Sequence, residues 1–578
     1  MILKCNKDAF RERYGVDLSE KEKQYATVKK EGLDERFFES DNYPYDFSQE
    51  AMKGILLAMA MGFANGSFIR KLRKHLPGAA ALLVWEPDWS TFLYACGKED
   101  VSDLILNREI VIVVGGMDDE ETKLKEKLQS RIEMQNMYHA SILPVPGFFD
   151  VYVKEAGELL AVFKKSIFET SVDVASRVFF KQTNARAEIY AISQLHENYV
   201  AEELFDSIPT RDIPVIIVAA GPSLSHNIAE LERVGNKALV IAVSHAARTV
   251  CEKGIHPDLV AVADGQEQFH FLDFDKDNKL RVLMNVKGAL NLQKRYNGRM
   301  IYESMNLDLY PVSGCKRSTY NYANGGSVAT NVFGLFLTAG FKTFIMVGQD
   351  LAYDKNGFSH VGNESEKSEN IYELEGVDGE PVKARGDWVF FLNFYEKMIA
   401  ANPDVRVVDA TEGGALIRGT ETITLAEALN KYCNKAYPIE EWFHNMKKGT
   451  GADKKEEEAI IQNHLGECRK IHKDLEEIVI LNREAVRYLK GEELPDELAD
   501  TVCERYDLLY EKVLVDGKAE LLMDYCDDLL QLYVKEAMSL EADSDILIKM
   551  DFEFSLFTKM KERNMELMSY LIELFPDL

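Results

Sequence analysis

Between Pro214 and Val408 the chain alternates short, mostly apolar runs with longer mixed stretches. The runs are 214–219, 238–243, 259–263, 282–284, 343–347 and 405–408. Runs this short without polar alternation read as strands buried on both faces, and helix-like segments between them make the strands parallel. The pattern predicts a doubly wound, mostly parallel α/β sheet as the central domain, over residues 209–437.

The flanks differ in texture. Upstream, over 1–208, strand patterns at Ala81-Leu-Leu-Val-Trp85, Ile110–Val114 and, more weakly, Ile142–Gly147 accompany a charged amphipathic stretch at Glu120–Met137. They predict a small α/β domain, with 150–198 as a helical connector. Ile55–Ala64 is apolar but too short to cross a bilayer, and Lys53, Arg70 and Lys71 flank it. Beyond Tyr437 strand patterns stop. Periodicity over 454–489, 496–513, 518–539 and 544–575 predicts an all-helical C-terminal domain, residues 438–578.

Composition narrows the function. A chain of 578 residues with 46% hydrophobic and 28% charged positions is an ordinary multidomain globular protein. Its net charge of -28 and lack of a basic run disfavour nucleic acid and anionic membranes as partners. Eight scattered cysteines with no C-x-x-C pair fit reduced thiols, and Met1–Arg13 is too charged for a signal peptide. These features together predict a cytoplasmic protein.

Candidate chemistry gathers where strands end. Ala219-Ala-Gly-Pro-Ser-Leu224 follows the first central strand; Gly221 allows a tight turn, Pro222 suits a first helical turn, and Ser223 offers a hydroxyl there. Asn324-Gly325-Gly326-Ser327 leads into an apolar helix at 329–339 and repeats the logic. Helix starts at strand ends can cradle an anion, and each turn alone is equally well a serine-capped turn. Asp264-Gly-Gln266, Gly348-Gln349-Asp350 and Thr411-Glu412-Gly413 put polar groups at three further strand ends, where open α/β sheets hold ligands. After Asp350 a polar loop is expected to run to about Gly386, carrying His360, an imidazole suited to general-base work. Asp273-Phe-Asp275-Lys-Asp277 has an Asp-x-Asp spacing but reads first as an exposed acidic turn.

These clusters, in this order, resemble the motility-associated factor (Maf) family of bacterial flagellin glycosyltransferases. The resemblance is carried by Ile216–Leu224 (IIVAAGPSL), Asp264-Gly-Gln266, Asn324–Ser327, Val347–Ala352 with Ser359-His360, Thr411–Ala415 and, in the N-terminal part, Glu86. The central domain is similar in turn to bacterial sialyltransferases, Rossmann-like enzymes using CMP-activated sugars, which also open on a Gly-Pro-Ser-Leu turn. The resemblance implies transfer of a nonulosonic acid, of pseudaminic or legionaminic type, from CMP to Ser or Thr hydroxyls of flagellin. The glycine turns, with Asp264, Gln266, Gln349, Thr411 and Glu412, would hold the nucleotide sugar without metal or other cofactor. His360 and Asp350 would be the catalytic pair, and the C-terminal helices would receive the protein acceptor. Two other readings stay open: an ATP-dependent enzyme like 6-hydroxymethylpterin diphosphokinase, with Asp264 and Asp350 on magnesium, and a non-catalytic flagellin-binding protein.

Overall fold

The computed structural model describes residues 2–25, 43–78, 80–116, 124–132, 136–263, 265, 272–303, 322–361, 371–448, 453–495, 501–515, 519–539 and 546–576. The chain forms two compact units: Met1–Phe179 with Leu489–Gly491 and Asp527–Leu556, and Phe180–Tyr488 with Glu492–Cys526 and Phe557–Leu578.

The first unit holds a four-stranded parallel sheet of β1 (Leu57–Met61), β2 (Ala81–Glu86), β3 (Ile110–Val114) and β4 (Ala140–Pro144), in the order β3-β2-β1-β4. The apolar stretch around residue 55, too short for a membrane, is thus the inner strand β1, whose five residues are all buried. The expected helix at 120–137 reduces to Leu124–Gln129, with 117–123 and 133–135 outside the described residues. Glu86 ends β2 fully buried, accepting hydrogen bonds from the Phe63 N–H (3.0 Å), the Asp88 N–H (3.3 Å) and the Tyr152 hydroxyl (3.2 Å). Burial pushes its carboxyl up to about 7.

The second unit is built on nine parallel strands. They are β5 (Tyr199–Val200), β6 (Val215–Val218), β7 (Leu239–Val243), β8 (Leu259–Val262), β9 (Val282–Met284), β10 (Met300–Tyr302), β11 (Thr343–Val347), β14 (Arg406–Asp409) and β15 (Glu421–Thr422); a separate antiparallel hairpin pairs β12 (Ile371–Glu375) with β13 (Pro381–Arg385). The sheet order is β15-β14-β11-β6-β7-β8-β9-β10-β5. β6, β7, β8 and β9 are buried at every position, as their apolar runs require. The sheet takes up Tyr199–Val200, upstream of residue 209, and the hairpin β12–β13 stands where a structureless loop to Gly386 was expected.

Helices cover most of the rest. Val153–Ser193 is one helix of 41 residues, and downstream lie Lys454–Leu489, Val502–Leu514, Glu520–Tyr525, Asp527–Ser539 and Ile546–Leu574. The stretch read as one helix over 518–539 is broken at Cys526. Within the second unit the His196 N–H donates to Glu457 Oε1 (2.7 Å), tying the helix Lys454–Leu489 back beside the sheet's β5 edge. Among the described residues no helix is long and apolar enough to cross a membrane.

Candidate functional site

The strand order reverses between β6 and β11. From β6 the chain runs outward through β7 to β10, and it returns on the other side at β11. Both strands point the same way, so their carboxyl ends open a crevice that neither crossover covers. The Ala219 N–H donates to the Val347 carbonyl (2.8 Å), and the Gly221 N–H to the Gly348 carbonyl (2.8 Å), so the two turns meet back to back.

Asp350 is the centre of this junction. Its Oδ1 accepts from the Ser223 N–H (3.1 Å), its Oδ2 from the Ser223 hydroxyl (2.7 Å), and its carbonyl from the Ala415 N–H (2.8 Å). Glycines make the approach possible. A Cβ on Gly221 would stand 1.9 Å from Asp350 Oδ2, and one on Gly414, at φ +79°, would stand 2.1 Å from the Asp350 carbonyl oxygen. Burial pushes the Asp350 carboxyl up to about 6; Ser223 draws it down by favouring the charged form, and nearby Asp409 raises it.

Beside this junction lies a cavity of about 180 Å³. Its wall takes Gly221 from the β6 turn, Val243 at the end of β7 and His245 after it, Ser327 to Ala329 at the start of the helix Val328–Thr338, and Gly348 to Ala352 after β11. Ser359 and His360 close it, with Trp388 and Phe391 from the helix Gly386–Ala401. The Val361 N–H donates to the Ala220 carbonyl (2.9 Å), which holds His360 next to the Gly221 turn. His360 Nδ1 is 3.0 Å from the Ser359 hydroxyl, and its ring stacks on that of His245 with centroids 5.4 Å apart and planes at 26°.

The expected site residues therefore separate. Gly221, Ser327, Gly348, Gln349, Asp350 and His360 come together on one wall. Thr411 stands behind it, its hydroxyl accepting from the Gln349 N–H (3.2 Å), while Gly413 packs against Ser223. Pro222, Asn324, Gly325 and Gly326 do not line the cavity. Glu412 turns away; its Oε1 accepts from the Asn227 amide (3.1 Å) and from the Leu425 N–H (3.0 Å) at the start of the helix Leu425–Tyr432. Asp264 and Gln266 lie outside the described residues.

Two local expectations are corrected. The helix after Gly221 is a single turn, Leu224–Asn227, continuing as 3-10 helix, so few peptide dipoles align behind it. Ser223 makes no side-chain cap there; its N–H and its hydroxyl both donate to Asp350. At the second turn Asn324 Oδ1 accepts from the Gly326 N–H (2.8 Å), and Ser327 forms a reciprocal capping box with Thr330. The first turn of the 11-residue helix Val328–Thr338 is thus the anion-favouring element facing the cavity. The acidic run behaves as a turn: Asp275 accepts from the N–H groups of Lys279 and Leu280 (3.0 Å each), and Asp277 pairs with Lys279. Among the described residues no cluster of three or more His, Cys, Asp or Glu could hold a metal ion. The contribution of His245 was not foreseen.

Residues 189–356 match the family model described as 6-hydroxymethylpterin diphosphokinase MptE-like. A Maf glycosyltransferase from Magnetospirillum magneticum AMB-1 has a solved structure that aligns over 90% of this chain and 80% of its own, with TM-score 0.51 and 14% identity. The chain shares that protein's α/β fold with parallel sheets. No curated protein sequence matches it.

Proposed function

We propose that the chain is a glycosyltransferase of the second unit's crevice, moving a nonulosonic acid from a CMP-activated donor to Ser or Thr hydroxyls of flagellin in the cytoplasm. One observation carries this reading: His360, Asp350, the Gly221 turn and the start of the helix Val328–Thr338 share one cavity at the switch point between β6 and β11. The fold shared with a Maf glycosyltransferase supports it.

In this reading the acceptor oxygen attacks the anomeric carbon and forms the new C–O bond. The bond from that carbon to the phosphate oxygen breaks, and its electron pair leaves on CMP. The acceptor's proton passes to His360, whose ring is held by Ser359 and by the stack on His245. The N–H groups opening the helix Val328–Thr338 favour the leaving phosphate, a single charged group that helix-start dipoles hold without a metal. Asp350 acts from within the wall, by locking the Gly221 turn through Ser223.

A thermal-shift panel tests the reading. CMP and CTP should raise the melting temperature of the full chain, with EDTA making no difference. The match to the MptE-like model favours a second reading, an ATP-dependent diphosphokinase. A rise given only by ATP with magnesium would select that reading and overturn the first.

A further inference from the structure

The cavity is too small for the whole donor. At about 180 Å³ it falls below the roughly 300–1,000 Å³ of ligand pockets that enclose a drug-sized molecule. A phosphate and part of a sugar fill such a space, so a donor that enters by its sugar, with the phosphate behind it, leaves its base at the rim.

The helix Gly386–Ala401 supplies that rim with aromatic rings. Phe391 and Trp388 are part of the cavity wall. Trp388 is buried and packed against Tyr353 (ring centroids 4.8 Å apart), whereas Phe390 is 46% exposed. The Phe390 and Phe391 rings lie 6.4 Å apart at 70°. Both rings face the second glycine turn: a Cβ on Gly326, at φ +84°, would stand 3.3 Å from Phe391 Cε1 and 3.4 Å from Phe390 Cε1. Tyr372 of β12 is 49% exposed and lies against Gly386, one helical turn before Phe390 on the same helix face. A lone exposed phenylalanine is ordinary, but exposed rings grouped beside a cavity are not scattered surface.

Resting on the nucleotide-donor reading above, we propose that the exposed Phe390 ring is the stacking platform for the donor's base, with Phe391, at 70° to it, set against the base's edge. The phosphate then points to the start of the helix Val328–Thr338. Stacking uses the π face common to all bases, so the platform supplies affinity, and polar groups elsewhere discriminate cytosine.

Isothermal titration of the full-length chain with CMP and with ribose 5-phosphate tests the platform, because the second probe lacks a base. Phe390→Ala should weaken CMP binding about 5- to 150-fold, the range for loss of one base–aromatic stack, and Phe391→Ala should weaken it less. Ribose 5-phosphate binding should not change, and Phe390→Tyr should retain CMP affinity. Phe390 is exposed enough for its variants to fold, so they decide the matter if Phe391→Ala does not fold. If the wild type binds CMP more tightly than ribose 5-phosphate and neither alanine variant alters this, the inference alone is overturned. The rings would then be left as a face for the polypeptide acceptor. If the wild type binds neither probe, the nucleotide reading fails and takes the platform with it.

Discussion

Ser223→Ala separates a charged clasp from simple packing. Burial raises the Asp350 carboxyl from 3.8 to about 6. A raised carboxyl pKa means that the folded chain keeps a proton the unfolded chain has already lost. Stability therefore falls as pH rises from about 4 to about 6, and the loss is fully present above that window. A gap of about two pH units corresponds to about 3 kcal/mol. Ser223 holds this cost down by donating both its N–H and its hydroxyl to the carboxylate. The alanine variant keeps the N–H and removes only the hydroxyl. A hydrogen bond to a charged group contributes about 1.5–3 kcal/mol, and one between neutral groups about 0.5–1.5. The expected loss is therefore about 2 kcal/mol at pH 8, where Asp350 is ionised, and about 1 kcal/mol at pH 5, where it mostly holds its proton. Scanning calorimetry of wild type and variant at both pH values should show a fall in Tm about twice as large at pH 8. An equal fall at the two pH values, or a larger one at pH 5, would refute the clasp.

Two further outcomes are expected. His360→Ala should lower turnover with CMP-sugar and flagellin about 10²- to 10⁴-fold, while CMP affinity measured by calorimetry stays unchanged; full activity would remove His360 as the base. Gly414→Ala should cost at least about 2 kcal/mol and abolish CMP binding, because its Cβ would meet fixed backbone of Asp350 in a left-handed conformation; circular-dichroism melting and calorimetry check the two effects.

How much was legible depended on how far a residue's role is local. The buried runs at 215–218, 239–243 and 343–347 announced β6, β7 and β11 because no polar position interrupts them. β1 did not, since Leu-Ala-Met-Ala-Met lacks the β-branched and aromatic residues that mark strands. Tyr199–Val200 and Met300–Tyr302 are too short to carry a period. The hairpin β12–β13 is mostly exposed, so it shows no apolar face. In the site, the glycine turns were readable from composition. The partner of Ser223 was not, because Asp350 lies 127 positions away. A lone histidine after Ser244 likewise gives no hint that its ring will meet His360.

The Ser223–Asp350 clasp also sets an order of events during synthesis. The half of the crevice built from the β6 turn leaves the ribosome 127 residues before its partner, a lag of roughly 6–25 s at about 5–20 residues per second. Once β7 is complete at Val243, β6 has β7 beside it and no β11, so one flank of the strand destined for the middle of the sheet is an open edge. A nascent chain paused between residues 244 and 342 would carry a paired half-sheet with no crevice, and chaperone contact is best timed to that window.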